Sequence, residues 1–245
     1  MEKKIAIIAD IHGNRSALEA VLKGIETEER IEHIYCLGDL VGIGYETNEV
    51  LEILSSRRDI SFVMGNHDEA IVDIIANREP YSKGKERRHH EWIASHLDHK
   101  FIPFLTELPT SIHTSYNEKK LLFQHYHLND GGTFLSVDYE PTEKKLDQQY
   151  RASNAEIVCF GHHHVIHHFK SKERLYLNPS SLGCNHKPLA AFAILTIGEN
   201  GEINVTLKEA PYNNKEFLLG YRRLNVPDSD YILKIFHGDQ HLQYL

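Results

Sequence analysis

Five short groups of oxygen and nitrogen donors mark this chain of 245 residues: Asp10-Ile11-His12, Gly38-Asp39, Gly65-Asn66-His67-Asp68, His125 and Gly161-His162-His163-His164. The set contains carboxylates, imidazoles and one amide, with no thiolate. Such donors fit two octahedral or near-octahedral ions such as manganese, iron or zinc better than a tetrahedral structural zinc. Two ions roughly 3.5–4 Å apart can activate a water and neutralise a phosphoryl group during in-line attack, so the chemistry read from the residues is phosphoester hydrolysis.

Each group has a physical rationale. Asp10 and His12 are two apart, which on an extended segment turns both side chains to one side, where they can reach one ion. Asp39 follows Gly38 and suits a bridging carboxylate, its two oxygens each holding one metal. The neutral amide of Asn66 suits an ion whose partner site already carries that shared carboxylate. His67, next to Asn66, cannot easily face the same ion and is free to face substrate as a general acid, with Asp68 orienting its imidazole. His125 is the expected ligand from its segment, and His127 is a rival. His162 and His164 can serve two different ions while His163 points elsewhere; three consecutive histidines can also form an adventitious metal patch.

The segments that must carry these groups read as strands at residues 5–9, 33–37, 61–64, 120–124 and 156–160, so every candidate ligand falls at the carboxyl end of a strand. Helical spacing follows at 14–28, with Asn14 available as cap, and at 47–56, which together make a βαβαβ start and imply parallel strands. Residues 69–110 break the rhythm with helices expected at 69–77 and 86–99, read as a lid beside the site. A hairpin at 111–124 turns at Asn117-Glu118, and further strands are expected at 174–177, 190–197 and 202–208, the last two joined by Glu199-Asn200-Gly201. The tail from 213 to 245 reads as one or two surface helices.

Composition excludes several classes. The formal net charge of −8 argues against a protein that holds long nucleic acid over its whole surface. No apolar stretch approaches the roughly 20 residues of a membrane span, and the chain enters its first strand without a signal-peptide pattern, so a cytoplasmic protein of one domain over 1–245 is expected. Cys36, Cys159 and Cys184 form no CxxC pair and read as small apolar core residues.

Taken in order, the five groups resemble the residue set of the calcineurin-like metallophosphoesterase superfamily, over the chain from Lys4 to about Gly183. The resemblance implies an α/β fold, a four-layer α/β/β/α sandwich with two mixed sheets. It also implies two divalent or trivalent ions, one held by Asp10, His12, Asp39 and His164 and the other by Asp39, Asn66, His125 and His162. Asn178-Pro179-Ser180-Ser181 looks like the family's Asn-Pro-Gly-Ser segment, with Ser180 in place of Gly. His163 stands where Thr or Ser is frequent, and Tyr126-His127 follows His125 in place of Gly; these departures bear on substrate contacts. The turn at Gly13-Asn14 and the lid resemble a bacterial branch that includes dinucleoside tetraphosphate hydrolases and protein phosphatases. The expected substrate is a small, nucleotide-type phosphoester or dinucleoside polyphosphate, held by Asn14, His163 and a lid clamp in which Tyr81 and Trp92 join Lys83, Lys85, Arg87 and Arg88. The alternatives are a protein serine/threonine phosphatase, a nuclease, and a non-catalytic scaffold of the same fold, which would typically lack His67.

Overall fold

The computed structural model describes residues 1–129 and 131–245. In chain order, β1 (Lys3–Ile8), α1 (Arg15–Glu26), β2 (Ile31–Cys36), α2 (Thr47–Ser55) and β3 (Ile60–Phe62) form the expected start. Three helices follow, α3 (Asn66–Ile75), α4 (Gly84–His96) and α5 (Ile102–Thr106), and then the hairpin of β4 (Ser111–Tyr116) and β5 (Lys119–Gln124). After α6 (Glu143–Gln149) come β6 (Ile157–Cys159), β7 (Ile166–Lys170), β8 (Leu175–Pro179), β9 (Leu189–Ile197) and β10 (Ile203–Pro211), and the chain ends with α7 (Lys215–Arg223) and α8 (Ser229–Ile235).

Two five-stranded mixed sheets result, ordered β10-β9-β1-β2-β3 and β4-β5-β6-β8-β7. Strand alternation sorts the layers. Ile5, Ile7, Ala9, Tyr35 and Leu37 point inward and meet Leu121, Phe123, Ile157 and Cys159 of the other sheet, with the Tyr35 and Phe123 rings stacked at 3.9 Å. Ala6, Ile8, Ile34 and Cys36 point outward and pack on Leu18, Val21, Leu51 and Leu54 of α1 and α2. On the far side, Leu122, Val158 and Tyr176 meet Leu146 of α6. The four-layer α/β/β/α sandwich expected above is therefore the fold. All three cysteines are free and buried, and among the described residues no helix is long and apolar enough to cross a membrane.

Three local differences bear on the site. The helix expected from residue 69 begins at Asn66, because Gly65 is extended and the Asp68 carboxylate reaches back to accept from its N–H at 2.9 Å. The 69–110 segment is not suspended over the site: Ile93, Leu97, Phe101 and Leu105 are buried in the same cluster as α1 and α2. The tail, expected at the surface, buries Phe217, Leu218, Tyr221, Ile232 and Leu233 around Ile43 and Cys184. β7 and α6 have no counterpart in the pattern reading. β7 is a half-exposed strand with three polar residues in five, and α6 buries only Leu146.

Asn14, assigned above to substrate, is fully buried and faces the fold. Its side-chain oxygen caps α1 by accepting from the Ala17 N–H at 3.1 Å, while its amide donates to the Gly183 carbonyl at 2.8 Å and the Tyr212 hydroxyl at 3.2 Å. It ties α1 to the segment after β8 and to the start of the tail, and no valence is left for a ligand. Asn14→Ala is expected to cost about 2–3 kcal/mol, the sum of a lost cap and two buried bonds, read as a lower urea midpoint. An unchanged midpoint would return Asn14 to the list of candidate substrate contacts.

Candidate metal centre

The seven donors expected to hold metal converge where the carboxyl ends of β1, β2, β5 and β6 meet the start of α3. Five of them, Asp10, His12, Asp39, His162 and His164, have φ between 49° and 70°, the left-handed region that side chains with a Cβ seldom adopt. This revises the reading of Asp10 and His12 as alternate positions of an extended segment. β1 ends at Ile8, and the two side chains converge because the backbone turns left-handed at each.

Main-chain hydrogen bonds hold the turns. Asp10 N–H donates to the Gly38 carbonyl at 3.1 Å, His12 N–H to Asp39 at 2.9 Å, Gly13 N–H to Leu40 at 3.0 Å, and Gly161 N–H to His125 at 2.8 Å. Gly38, at φ 89°, passes so close to the neighbouring loop that a Cβ there would stand 2.7 Å from the Gly65 nitrogen. That closeness leaves no room for a side chain at the residue preceding Asp39.

Two clusters of donors face each other across Asp39. In one, His12 Nε2 lies 2.9 Å from His164 Nε2, 3.9 Å from Asp10 Oδ1 and 3.7 Å from Asp39 Oδ2; His164 Nε2 is 3.5 Å from Asp10 Oδ1. In the other, Asn66 Oδ1 lies 2.8 Å from both His125 Nε2 and His162 Nδ1, and His125 Nε2 is 3.3 Å from Asp39 Oδ2. Ligands about 2.1 Å from one ion stand about 3 Å apart in octahedral and about 3.4 Å apart in tetrahedral geometry, so these separations are those of ligand edges. Asp39 Oδ2 is the atom within reach of both clusters. Its Oδ1 accepts the His67 backbone N–H at 2.8 Å.

The electrostatics divide the histidines of the centre. Burial pushes the pKa of His12 well down, only partly offset by Asp39, and burial with the neighbouring His125 takes His162 to about 4. Both are neutral imidazoles, the form that binds metal. Burial also opposes a charge on His125, but the Asp39 carboxylate outweighs it and lifts that pKa to about 9. Burial works against the Asp39 carboxylate too, and the surrounding His125, His67 and His12 still hold its pKa well below the ordinary range.

His67 is placed at this centre, its ring edge-on to His12 with centroids 5.1 Å apart, but the partner assigned to it is corrected. Asp68 is fully buried, and its carboxylate accepts the backbone N–H groups of Leu40 at 2.9 Å, Val41 at 3.1 Å and Gly65 at 2.9 Å. At the third residue of α3 it faces back along the helix toward these loops, so it clamps the Asp39 loop to α3. Burial and then Asp39 push its pKa up to about 7. The ring of His67 instead meets His90 of α4, Nδ1 to Nε2 at 2.7 Å, and His90 Nδ1 meets the Ser82 hydroxyl at 3.0 Å. His90 lies inside the basic run of residues 83–90, where a histidine is hard to tell from its solvated neighbours.

The remaining expectations divide. His127 turns away from the centre to the Tyr150 hydroxyl, Nδ1 to oxygen at 2.7 Å, which settles its rivalry with His125. His163 lines the cleft, its Nδ1 2.9 Å from His167 Nε2. The lid cations do not form one clamp, because each has an acidic neighbour: Lys83 pairs with Glu79 at 2.6 Å, Arg87 with Glu79 and Glu91 at 2.8 Å, Lys85 with Asp228 at 3.2 Å, and Arg88 approaches Asp228 at 3.9 Å. Lys83 and Lys85 line a cavity beside His67. Trp92 packs into the core and against His96. Tyr81 is at the site, its hydroxyl accepting from the Asn66 amide at 2.7 Å. Two contributions were not anticipated: Cys184 Sγ lies within 4.8 Å of the His12 and His164 nitrogens, and Ile235 and Phe236 of the tail form one wall of the cleft.

The chain is 28% identical over 209 residues to an uncharacterized protein of Methanocaldococcus jannaschii, covering 75% of this chain and 77% of that one. It is 24% identical over 221 residues to the symmetrical bis(5'-nucleosyl)-tetraphosphatase of Buchnera aphidicola, covering 86% and 75%. Its fold matches that of a hypothetical protein from Pyrococcus horikoshii with a TM-score of 0.79 at 20% identity, over 96% of this chain and 98% of that one. Residues 3–200 match the model of the calcineurin-like phosphoesterase superfamily domain, and the chain belongs to that superfamily.

Proposed function

We propose that the protein is a dinuclear-metal phosphoester hydrolase acting on nucleotide-type substrates such as dinucleoside polyphosphates. The observation that carries this reading is Asp39 Oδ2, 3.7 Å from His12 Nε2 in one donor cluster and 3.3 Å from His125 Nε2 in the other. Asp10, His12, Asp39 and His164 would hold one ion, and Asp39, Asn66, His125 and His162 the second. Ions bound there supply Lewis-acid charge to a phosphoryl group and acidity to an attacking water. The relative named as a dinucleoside tetraphosphatase supports the substrate class.

The chain's own residues do the rest. Asp39 and Asp10 bring negative charge that balances the ions. His67 adjoins His12 and Asp39 at the edge of the first cluster and can place a proton on the leaving oxygen. In the tautomer where His90 Nδ1 donates to Ser82, its Nε2 accepts from His67 Nδ1, which leaves the other His67 nitrogen to face substrate. Burial and nearby His67 hold His90 neutral, with its pKa at about 3, so His90 brings no charge of its own beside the His67 ring. The presence of His67 also favours an enzyme over a scaffold.

Three outcomes test this reading. Asp39→Asn should weaken both metal sites, measured as ions per chain; two ions held at wild-type affinity would refute the bridge. His67→Ala should keep both ions and lose about 10²–10⁴ in turnover, with a larger loss on alkyl than on p-nitrophenyl phosphoesters, and equal losses would remove the proton-donor role. Because Asp39 holds His125 protonated up to about pH 9 without metal, binding at pH 7.5 must displace that proton. Calorimetry in buffers of different ionisation enthalpy should register the release, and buffer-independent heats would contradict it.

A further inference from the structure

A cavity of about 520 Å³ opens beside His67, between α4 and α8, separate from the donor clusters but continuous with their cleft through Ile43, His67, Glu86 and Phe236. We infer that it is a nucleoside subsite, taking the base and ribose of the leaving group. This rests on the reading of His67 as the acid at the leaving oxygen: whatever that oxygen carries must lie on the His67 side of the centre.

The walls match the ligand. Tyr231 is 56% exposed and meets half-buried Phe236 edge-on, with centroids 6.5 Å apart, which leaves a corner of aromatic surface for a flat ring. Phe236 also lies 5.8 Å from the His164 ring, so the corner adjoins the metal centre. The polar lining is unfilled. Buried His89 makes a weak approach to the Pro227 backbone, yet neither of its ring nitrogens completes a hydrogen bond. Burial keeps it neutral, with a pKa near 4, so it offers one donor and one acceptor, as a base edge requires. Asp228 Oδ1 pairs with Lys85 at 3.2 Å, while its Oδ2 is buried without a hydrogen bond, with Arg88 Nη2 no closer than 3.9 Å. Asp228 precedes α8 at φ 59° and makes no cap bond with its side chain, so the helix does not account for its carboxylate. A ribose hydroxyl or a base amino group would satisfy it. Lys83 and Lys85 sit at the rim, and the Lys83–Glu79 pair is exposed on both sides, a weak pair readily exchanged for a phosphate.

Adenosine is the probe, since it carries base and ribose but no phosphate for the metal centre to bind. Titrated calorimetrically into the full-length protein, with and without metal, it should bind with similar affinity in both forms. Tyr231→Ala should raise Kd about tenfold or more, the loss of one stacked ring. Asp228→Asn, which tolerates the left-handed backbone, should do likewise. In the metal-loaded enzyme both changes should lower kcat/KM for adenosine monophosphate more than for glycerol phosphate, chiefly through KM. Absence of adenosine binding, or binding indifferent to both substitutions, would overturn the subsite, as would equal losses on the two esters. Adenosine binding that both substitutions weaken, in a protein that hydrolyses neither these esters nor diadenosine tetraphosphate, would uphold the cavity assignment and refute the hydrolase reading instead.

Discussion

Everything at the centre depends on forcing seven donor side chains to within a few ångströms of one another, an arrangement that metal-free side chains resist. Asp10 and Asp39 are buried and like-charged, and His12, His125, His162 and His164 crowd each other. Five of the seven sit on left-handed backbone, which costs of order 1–2 kcal/mol for each residue with a Cβ. Two devices outweigh that cost. The loops exchange main-chain hydrogen bonds, so each turn is held by its neighbour as well as by its own strand. The Asp68 carboxylate then collects three backbone N–H groups from the Asp39 loop and from Gly65, which fixes the Asp39 loop against the start of α3. Asp68 thus governs the spacing of the two clusters without touching the ring of His67.

The sandwich provides the frame for those loops. β1, β2 and β3 run in parallel in one sheet, and β5, β6 and β8 in the other, so their carboxyl ends deliver the Asp10, Asp39, Asn66, His125 and His162 segments to the same end of the molecule. The inter-sheet core of Ile5, Ile7, Leu37, Phe123 and Ile157 sets the distance between the two groups of loops. A shift of one sheet against the other would separate Asn66 from His125 and His162 before it broke any strand.

The legible part of the sequence was the part with strong periodicity or unusual donors. Apolar runs ending in Asp, Asn or His identified β1, β2, β5 and β6 and the residues that follow them, because a buried strand and a polar strand end leave local traces. The backbone at Asp10 and His12 left none, since left-handed φ at a residue with a Cβ is imposed by tertiary hydrogen bonds. His90 was hidden for a different reason: its partner is 23 residues away, and its meaning comes only from the packing of α4 on α3. The four lid cations looked like a phosphate clamp because the carboxylates that pair with Lys85 and Arg88 lie on Asp228, in a tail read as surface.

The tail adds a wall to a cleft whose donors it does not supply. The residues that could hold metal all fall within 3–200, the part that matches the superfamily, and they are locked by strand ends and main-chain bonds. Tyr231, Ile235 and Phe236 lie beyond that part, on a short helix and its end, where the chain reaches the cleft by packing Ile232 and Leu233 against Ile43 and Phe217. Substitutions on the exposed side of α8 can reshape the cavity wall without moving a donor, since they disturb neither the left-handed turns nor the Asp68 clamp. Changes at Ile43 cannot be confined in this way. It stands at φ 56° in the loop after Asp39 and lines both the cleft and the adjoining cavity, so the metal loop and the tail meet at that residue.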